Sequence, residues 1–150
     1  MKYLVTGGTG MIGRQVVRLL CVAGHEVISV SLDDIEPDTR ARYYTLDLTE
    51  FGTCKSITKG MDGVFHLAGI KAGASASTEK IASHFVPTLM FNTNVLEACR
   101  LNGVNRVVYT SSIGAYPSAS YFVEGQLGKF NGEPMDFAGW AKLMGEYQIY

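Results

Sequence analysis

Thr6-Gly7-Gly8-Thr9-Gly10-Met11-Ile12-Gly13 directly follows the apolar run Tyr3-Leu4-Val5 and directly precedes Val16-Val17 and Leu19-Leu20. An apolar run, a glycine turn and an apolar helical stripe read as strand, tight turn and helix. Gly7, Gly10 and Gly13 stand three residues apart. Glycines at such a turn let the backbone approach a pyrophosphate closely, while the free N–H groups and positive dipole of the following helix hold negative charge. A purely structural turn would give a similar string. The bracketing elements, and a second strand beginning at Glu26, favour phosphate binding.

Outward from that turn, strand and helix patterns alternate, which implies a parallel sheet covered by helices. Strands are predicted at Lys2 to Thr6, Glu26 to Ser31, Arg42 to Leu46, Gly63 to Leu67 and Asn105 to Ser111. Helices are predicted at Met11 to Ala23, Thr49 to Lys59 and Thr88 to Leu101, with a last one from Phe137 to Tyr150. In the third, Leu89, Met90, Thr93, Leu96, Ala98 and Cys99 largely keep helical spacing; Pro87 suits its first turn and Gly103 its end.

At 150 residues the chain has room for one sizeable core, so residues 1–150 read as one dinucleotide-binding domain. A net charge of -1, with no run of Lys or Arg, argues against nucleic acid or an anionic membrane as partner. Cys21, Cys54 and Cys99 are odd in number and scattered, and read as reduced core thiols. His25, His66 and His84 lack ligand spacing, so no metal site is expected. The N-terminal apolar residues are broken up by the glycines, which does not fit a signal peptide, and the expected location is cytoplasmic.

The Gly-x-x-Gly-x-x-Gly spacing resembles the short-chain dehydrogenase/reductase superfamily, especially its extended branch, the NAD-dependent epimerases and dehydratases. Further motifs follow in the same order. Asp47-Leu48 ends the third strand, Leu67-Ala68-Gly69 follows His66 at the end of the fourth, and Thr110-Ser111-Ser112-Ile113-Gly114-Ala115-Tyr116 follows the fifth. The resemblance implies a Rossmann-like, doubly wound parallel sheet in three αβα layers. It implies cofactor contacts from Gly7, Gly10, Met11, Ile12 and Gly13 in the turn, and from Asp33, Asp47, Leu48, Leu67, Ala68, Gly69, Thr110 and Lys142 beyond it. The strand-end position that aligns with the family's ribose-binding acid is Ser31, with Asp33 two residues on; Asp33 would accept from an adenosine ribose and repel a 2′-phosphate, which favours NAD. Arg14, Arg40 or Arg42 would be needed for NADP. Asp47 is equally a cap for the helix near Thr49, and His66 reads as a packed strand residue.

Aligned on Tyr116, Ser112 takes the position whose hydroxyl holds the substrate oxygen, with Ser111 as the alternative if the register shifts by one. Ala138-Gly139-Trp140-Ala141-Lys142 resembles the family's Tyr-x-x-x-Lys helix, with Ala138 where the catalytic Tyr is expected. A methyl group moves no proton. General acid–base groups contribute about 10² to 10⁴ in rate, or roughly 3 to 5 kcal/mol of barrier. Tyr116, Tyr121 and Tyr147 offer no convincing replacement. An inactivating substitution, a variant with another proton donor, and a protein that binds without catalysis all fit.

The family runs to about twice this length, so the chain reads as truncated before the substrate-binding portion. The implied function is that of an epimerase or dehydratase acting on a nucleotide-sugar. The rivals are an NADPH-dependent carbonyl reductase of the same fold and a non-catalytic dinucleotide-binding or regulatory module. The resemblance further implies a homodimer through the helices around Thr88 to Leu101 and Phe137 onward.

Overall fold

A computed structural model describes residues 1–70, 81–123 and 133–149. The elements run β1 (Lys2–Thr6), α1 (Met11–Val22), β2 (Glu26–Ser31), β3 (Arg42–Thr45), α2 (Phe51–Thr58), β4 (Gly63–His66), α3 (Ile81–Leu101), β5 (Val107–Tyr109), a 3-10 turn (Ile113–Ala115) and α4 (Phe137–Ile149). All strand pairs are parallel, in the order β3-β2-β1-β4-β5. This is the expected Rossmann-like α/β architecture.

Alternation along each strand sorts its side chains into two cores. Leu4, Ile28, Val30 and Val64 face Cys54 of α2 and Phe91, Val95, Ala98 and Cys99 of α3. Val5 and Val27 face Val17 of α1 on the opposite side, with Val16, Leu20 and Phe65 packed around them. Leu4, Val5, Val17, Val30 and Val95 are fully buried. Each such side chain contributes about 1.5–3 kcal/mol relative to exposure. The helices therefore lie on both faces, and α4 joins α3 on its side.

Several boundaries differ from the sequence reading. Pro87 lies inside α3, not in its first turn. Its ring removes one backbone donor, yet helix continues upstream because Phe85 meets Phe137 of α4 edge to face, with ring centroids 6.2 Å apart. Tertiary contact overrides local propensity there. The strand expected at Asn105 to Ser111 shrinks to Val107–Tyr109, the residues that pair with Val64, Phe65 and His66. The second helix starts at Phe51 and not Thr49, while β3 and β4 each stop one residue short of the expectation. Tyr150, the expected end of the last helix, lies outside the described residues.

Candidate cofactor-binding site

β1 and β4 are neighbours, but the chain leaves β1 toward α1 on one face and reaches β4 from α2 on the other. Connections that diverge in this way leave a crevice at the C-terminal strand ends. The glycine turn fills one wall. Gly7 has φ +70 and donates its N–H to the Val30 carbonyl at 2.7 Å. A Cβ on it would lie 2.8 Å from the Ala68 Cα, so the turn packs directly on Leu67 and Ala68, for which the family resemblance implies cofactor contact. A Cβ on Gly13 would fall 2.1 Å from the Gly7 carbonyl oxygen, so α1 needs glycine to close onto the turn.

Gly10 differs. Its backbone is extended and its Cβ position meets only the Gly7 oxygen, at 3.1 Å. It caps α1 with no side-chain hydrogen bond, so the first-turn N–H groups of Met11, Ile12 and Gly13 have no side-chain acceptor. Met11 and Ile12 are exposed beside it. The turn thus offers open donors and a helix dipole with room for an anion. Gly8, which the spacing passes over, has a different cause: its Cβ would lie 2.0 Å from the Ser29 Oγ, a buried hydroxyl without a partner.

Asp33 stands at the turn. Thr9 donates its hydroxyl to Asp33 Oδ2 at 2.8 Å and its backbone N–H to Ser31 Oγ at 3.2 Å. Each of the three arginines that a 2′-phosphate would need has a protein acceptor, Arg14 within the turn itself. Arg14 donates to the Thr9 carbonyl at 2.9 Å, Arg40 to both Asp38 oxygens, and Arg42 lies 3.6 Å from Glu26. The Arg40 guanidinium and backbone N–H hold the Asp38 carboxyl down to about 2.

Asp47 does not cap α2, contrary to that reading. Its Oδ1 accepts from the Thr49 N–H and hydroxyl, both at 2.8 Å, while Glu50 takes the N-cap position without a side-chain bond. An Asp two residues before a helical run satisfies the nearer turn first. Leu48 is buried in the core, and its carbonyl accepts from Cys54 Sγ and from Asn94. Gly69 is exposed just past Ala68.

At the other wall, α4 lies close to β5 because it carries glycines where it crosses. A Cβ on Gly139 would fall 1.9 Å from the Gly114 oxygen, and one on Gly145 would fall 2.4 Å from the Tyr109 hydroxyl. Asp136 starts the helix by accepting the Gly139 N–H at 2.6 Å. Ala138 is exposed and Lys142 half-buried one turn later, so both project on one side of α4. Burial lowers the Lys142 ammonium to about 8. Its Nζ lies 4.8 Å from the centre of the Tyr109 ring.

Ser111 and Ser112 separate in role. Ser111 donates its hydroxyl to Glu146 of α4. Ser112 is exposed and accepts the Gly114 N–H at 3.2 Å, which leaves its hydroxyl proton available. Thr110 donates its N–H to the His66 carbonyl at 3.3 Å, holding the post-β5 loop to β4. Tyr116 packs edge to face on Phe122, and Tyr121 is solvent-exposed.

His66 is fully buried, as a packed strand residue should be, but it is also hydrogen-bonded at both nitrogens. Thr6 Oγ1 lies 2.7 Å from Nδ1 and Asn92 Oδ1 lies 2.9 Å from Nε2. Burial, then the Lys142 charge, hold the imidazole down to about 3, so it is neutral. Asn92 also donates to the Tyr109 hydroxyl at 2.9 Å. Sequence reasoning missed Asn92 and Tyr109. The available signal was a polar Asn92 amid the buried Phe91, Val95 and Leu96 of α3, since a buried amide needs partners.

Among the described residues, no group of His, Cys, Asp and Glu could hold a metal ion, and no helix is long and apolar enough to cross a membrane. Cys21, Cys54 and Cys99 are free thiols, and burial pushes Cys54 up to about 12 and Cys99 to about 11.

Comparison with known proteins agrees with this geometry. The sequence profile of the NAD dependent epimerase/dehydratase family matches residues 3–149. The chain is similar to GDP-mannose 3,5-epimerase 1 of Oryza sativa subsp. japonica, 29% identical over 154 residues that cover 97% of the chain and 41% of that protein. It is also similar to 2-alkyl-3-oxoalkanoate reductase of Stenotrophomonas maltophilia, 33% identical over 135 residues, covering 83% of the chain and 37% of that protein. In structure it matches MoeE5 solved in complex with UDP-glucuronic acid and NAD, with TM-score 0.84 and 28% identity, over 99% of the chain and 48% of MoeE5. The chain spans about half the length, or less, of the relatives it matches.

Proposed function

Since the chain belongs to the NAD dependent epimerase/dehydratase family, we propose that residues 1–150 form the NAD-binding part of an oxidoreductase acting on a nucleotide-linked sugar. The observation that carries the reading is the open first turn of α1 at Gly10, set against Leu67 and Ala68. A dinucleotide fits there by its chemistry: uncapped N–H donors for the pyrophosphate, and the Asp33 carboxylate beside the turn for a ribose hydroxyl. NAD is favoured over NADP because Arg14, Arg40 and Arg42 each already hold a protein acceptor.

The nicotinamide, when bound, supplies a site that takes up and returns hydride. Ser112 orients the substrate oxygen through its exposed hydroxyl, and Lys142 offers its ammonium to the nicotinamide ribose. Ser111, tied to Glu146, is the weaker candidate for the oxygen. Gly139 and Gly145 bring Lys142 to the β5 end, so its position depends on the close approach of α4. Ala138 holds no proton at the position where the family places a phenol, so proton transfer falls to water or is lost. We assign Asp47, Leu48, Gly69 and Thr110, which follow β3, β4 and β5, to the same crevice. The outer face of α3 and α4, with Val86, Met90, Phe137 and Met144 exposed, supports a homodimer there.

The test is incubation of the chain with NAD and a panel of UDP-, GDP- and dTDP-sugars, with product analysis. Binding of NAD, with an epimerised or dehydrated sugar formed by Ala138→Tyr without net NADH, supports the reading, and no binding of NAD overturns it. Net NADPH consumption with a β-keto acyl substrate would favour the second reading, a carbonyl reductase, for which the similarity to the 2-alkyl-3-oxoalkanoate reductase speaks.

A further inference from the structure

The buried hydrogen bonds behind β4 have one consistent direction. The Ala141 carbonyl can only accept, and it lies 3.4 Å from Asn92 Nδ2. That sets the amide with Oδ1 toward His66, at 2.9 Å from Nε2. Because Oδ1 can only accept, Nε2 carries the proton, and the neutral ring accepts from Thr6 Oγ1 at Nδ1. Thr6 Oγ1 in turn accepts the Ala68 N–H at 3.3 Å. At the far end, Asn92 donates to the Tyr109 hydroxyl, whose own proton goes to the Lys142 carbonyl at 3.3 Å. One polarised chain runs from Ala68 to Lys142.

Tyr109 meets Lys142 twice. The hydroxyl holds the lysine's backbone, and the ring face holds its ammonium at 4.8 Å from the centroid. His66 stacks on the other partner of the pair, with its ring 5.6 Å from that of Tyr109 and 25° off parallel. The ring is thereby fixed from one side by His66 and at its tip by Asn92. A half-buried ammonium without a carboxylate partner gains from a π face, and among the described residues Tyr109 is the ring placed to supply it.

We propose that Tyr109 is the positioning residue for Lys142: its ring seats the ammonium, and the Ala68–Thr6–His66–Asn92 chain sets the hydroxyl that pins the lysine's backbone. The assignment of Lys142 to the cofactor rests on the proposed function; the seating itself does not. The two ends of the chain are the segments assigned to opposite walls of the crevice, so the network links their spacing. The other titratable groups bearing on the pair are Glu146, which adds to burial in raising the Tyr109 phenol, and His66, which is neutral. An uncharged phenol keeps its proton on the Lys142 carbonyl.

The experiment is NMR titration of the chain made with ¹³Cε-lysine, with the Lys142 signal assigned by its loss in Lys142→Arg. In wild type its midpoint is expected near 8. Tyr109→Phe keeps the ring and should leave the midpoint within about 0.3 unit, whereas Tyr109→Leu should lower it by roughly 0.5 to 1 unit. Equal midpoints in the two variants would overturn the proposal. If Tyr109→Leu does not fold, the wild-type spectrum decides: Lys142 ε-protons upfield of the other lysines support a ring face, and coincidence with them overturns it. A second arm measures NAD affinity. Tyr109→Leu should weaken it about threefold to tenfold in wild type and not at all in Lys142→Met, whereas additive losses would mean that Tyr109 acts independently of Lys142 and would overturn the proposal. Absence of NAD binding by wild type would sink the cofactor reading, and the lysine titration would still decide the seating.

Discussion

The two walls of the crevice are built to different standards of completeness. In the glycine turn, three glycines have a cause in their surroundings, Gly7 in its φ and in Ala68, Gly8 in Ser29 and Gly13 in the Gly7 carbonyl, while Gly10 stays open. In the α4 wall, Lys142, Asp136, Gly139 and Gly145 are all placed, while Ala138 faces solvent with a methyl group. On the roles proposed above, the lysine is positioned while the place of the proton-transfer group is vacant. The backbone geometry that brings Lys142 to the end of β5 forms with an alanine at position 138.

The sharpest way to break that contrast is Ala138→Tyr. Because position 138 is exposed, its stability should stay within about 0.5 kcal/mol of wild type by denaturant titration. Turnover of a nucleotide-sugar, or of whichever substrate the chain accepts, should rise about 10²- to 10⁴-fold. A large loss of stability would show that the alanine is required by packing.

Next in size is Gly13→Ala. A Cβ placed 2.1 Å from the Gly7 oxygen must force the turn off α1, with an expected loss of about 2–4 kcal/mol in urea unfolding. Gly10→Ala sharpens the contrast within the turn. Its Cβ meets only one atom, at 3.1 Å, so stability should change by less than about 1 kcal/mol. NAD affinity should nevertheless fall at least about tenfold, since the methyl occupies space that the pyrophosphate approach requires. Equal effects of the two substitutions on folding would refute the distinction.

Protonation separates the walls from the core behind them. His66 is depressed to about 3 from its ordinary 6.5. The unfolded chain therefore binds that proton first as pH falls. The stability due to a neutral His66 is complete above about 6.5 and is lost as pH falls toward 3. Denaturant titrations between pH 7 and 4.5 should show a slope shallower by about one proton in His66→Asn. Lys142, depressed to about 8 from 10.5, follows the same sign in a higher window, with stability rising as pH increases from 8 toward 10.5. Lys142→Met should remove that rise.

Much of this was legible in the sequence because it depends on local chemistry. β1, the turn, α1 and β2 follow from apolar alternation and glycine spacing, and the parallel pairing of the sheet follows from alternating strands and helices. Tertiary choices were not legible. The path of α3 through Pro87 depends on Phe85 meeting Phe137, and the role of Asp47 depends on Thr49 reaching it before α2 begins. Asn92 and Tyr109 lie 17 residues apart on different elements, and no periodicity pairs an amide on a helix with a phenol on an edge strand. The choice between Ser111 and Ser112 likewise turns on Glu146, a residue on another element.

The most direct test of the separation between binding and proton transfer is calorimetric titration of NAD into the wild-type chain and into Ala138→Tyr. Both should bind, with dissociation constants within about threefold of each other, because the turn and the seated Lys142 are the same in both. Binding by Ala138→Tyr alone would contradict it, since the phenol would then be part of the cofactor cradle and not only of the chemistry.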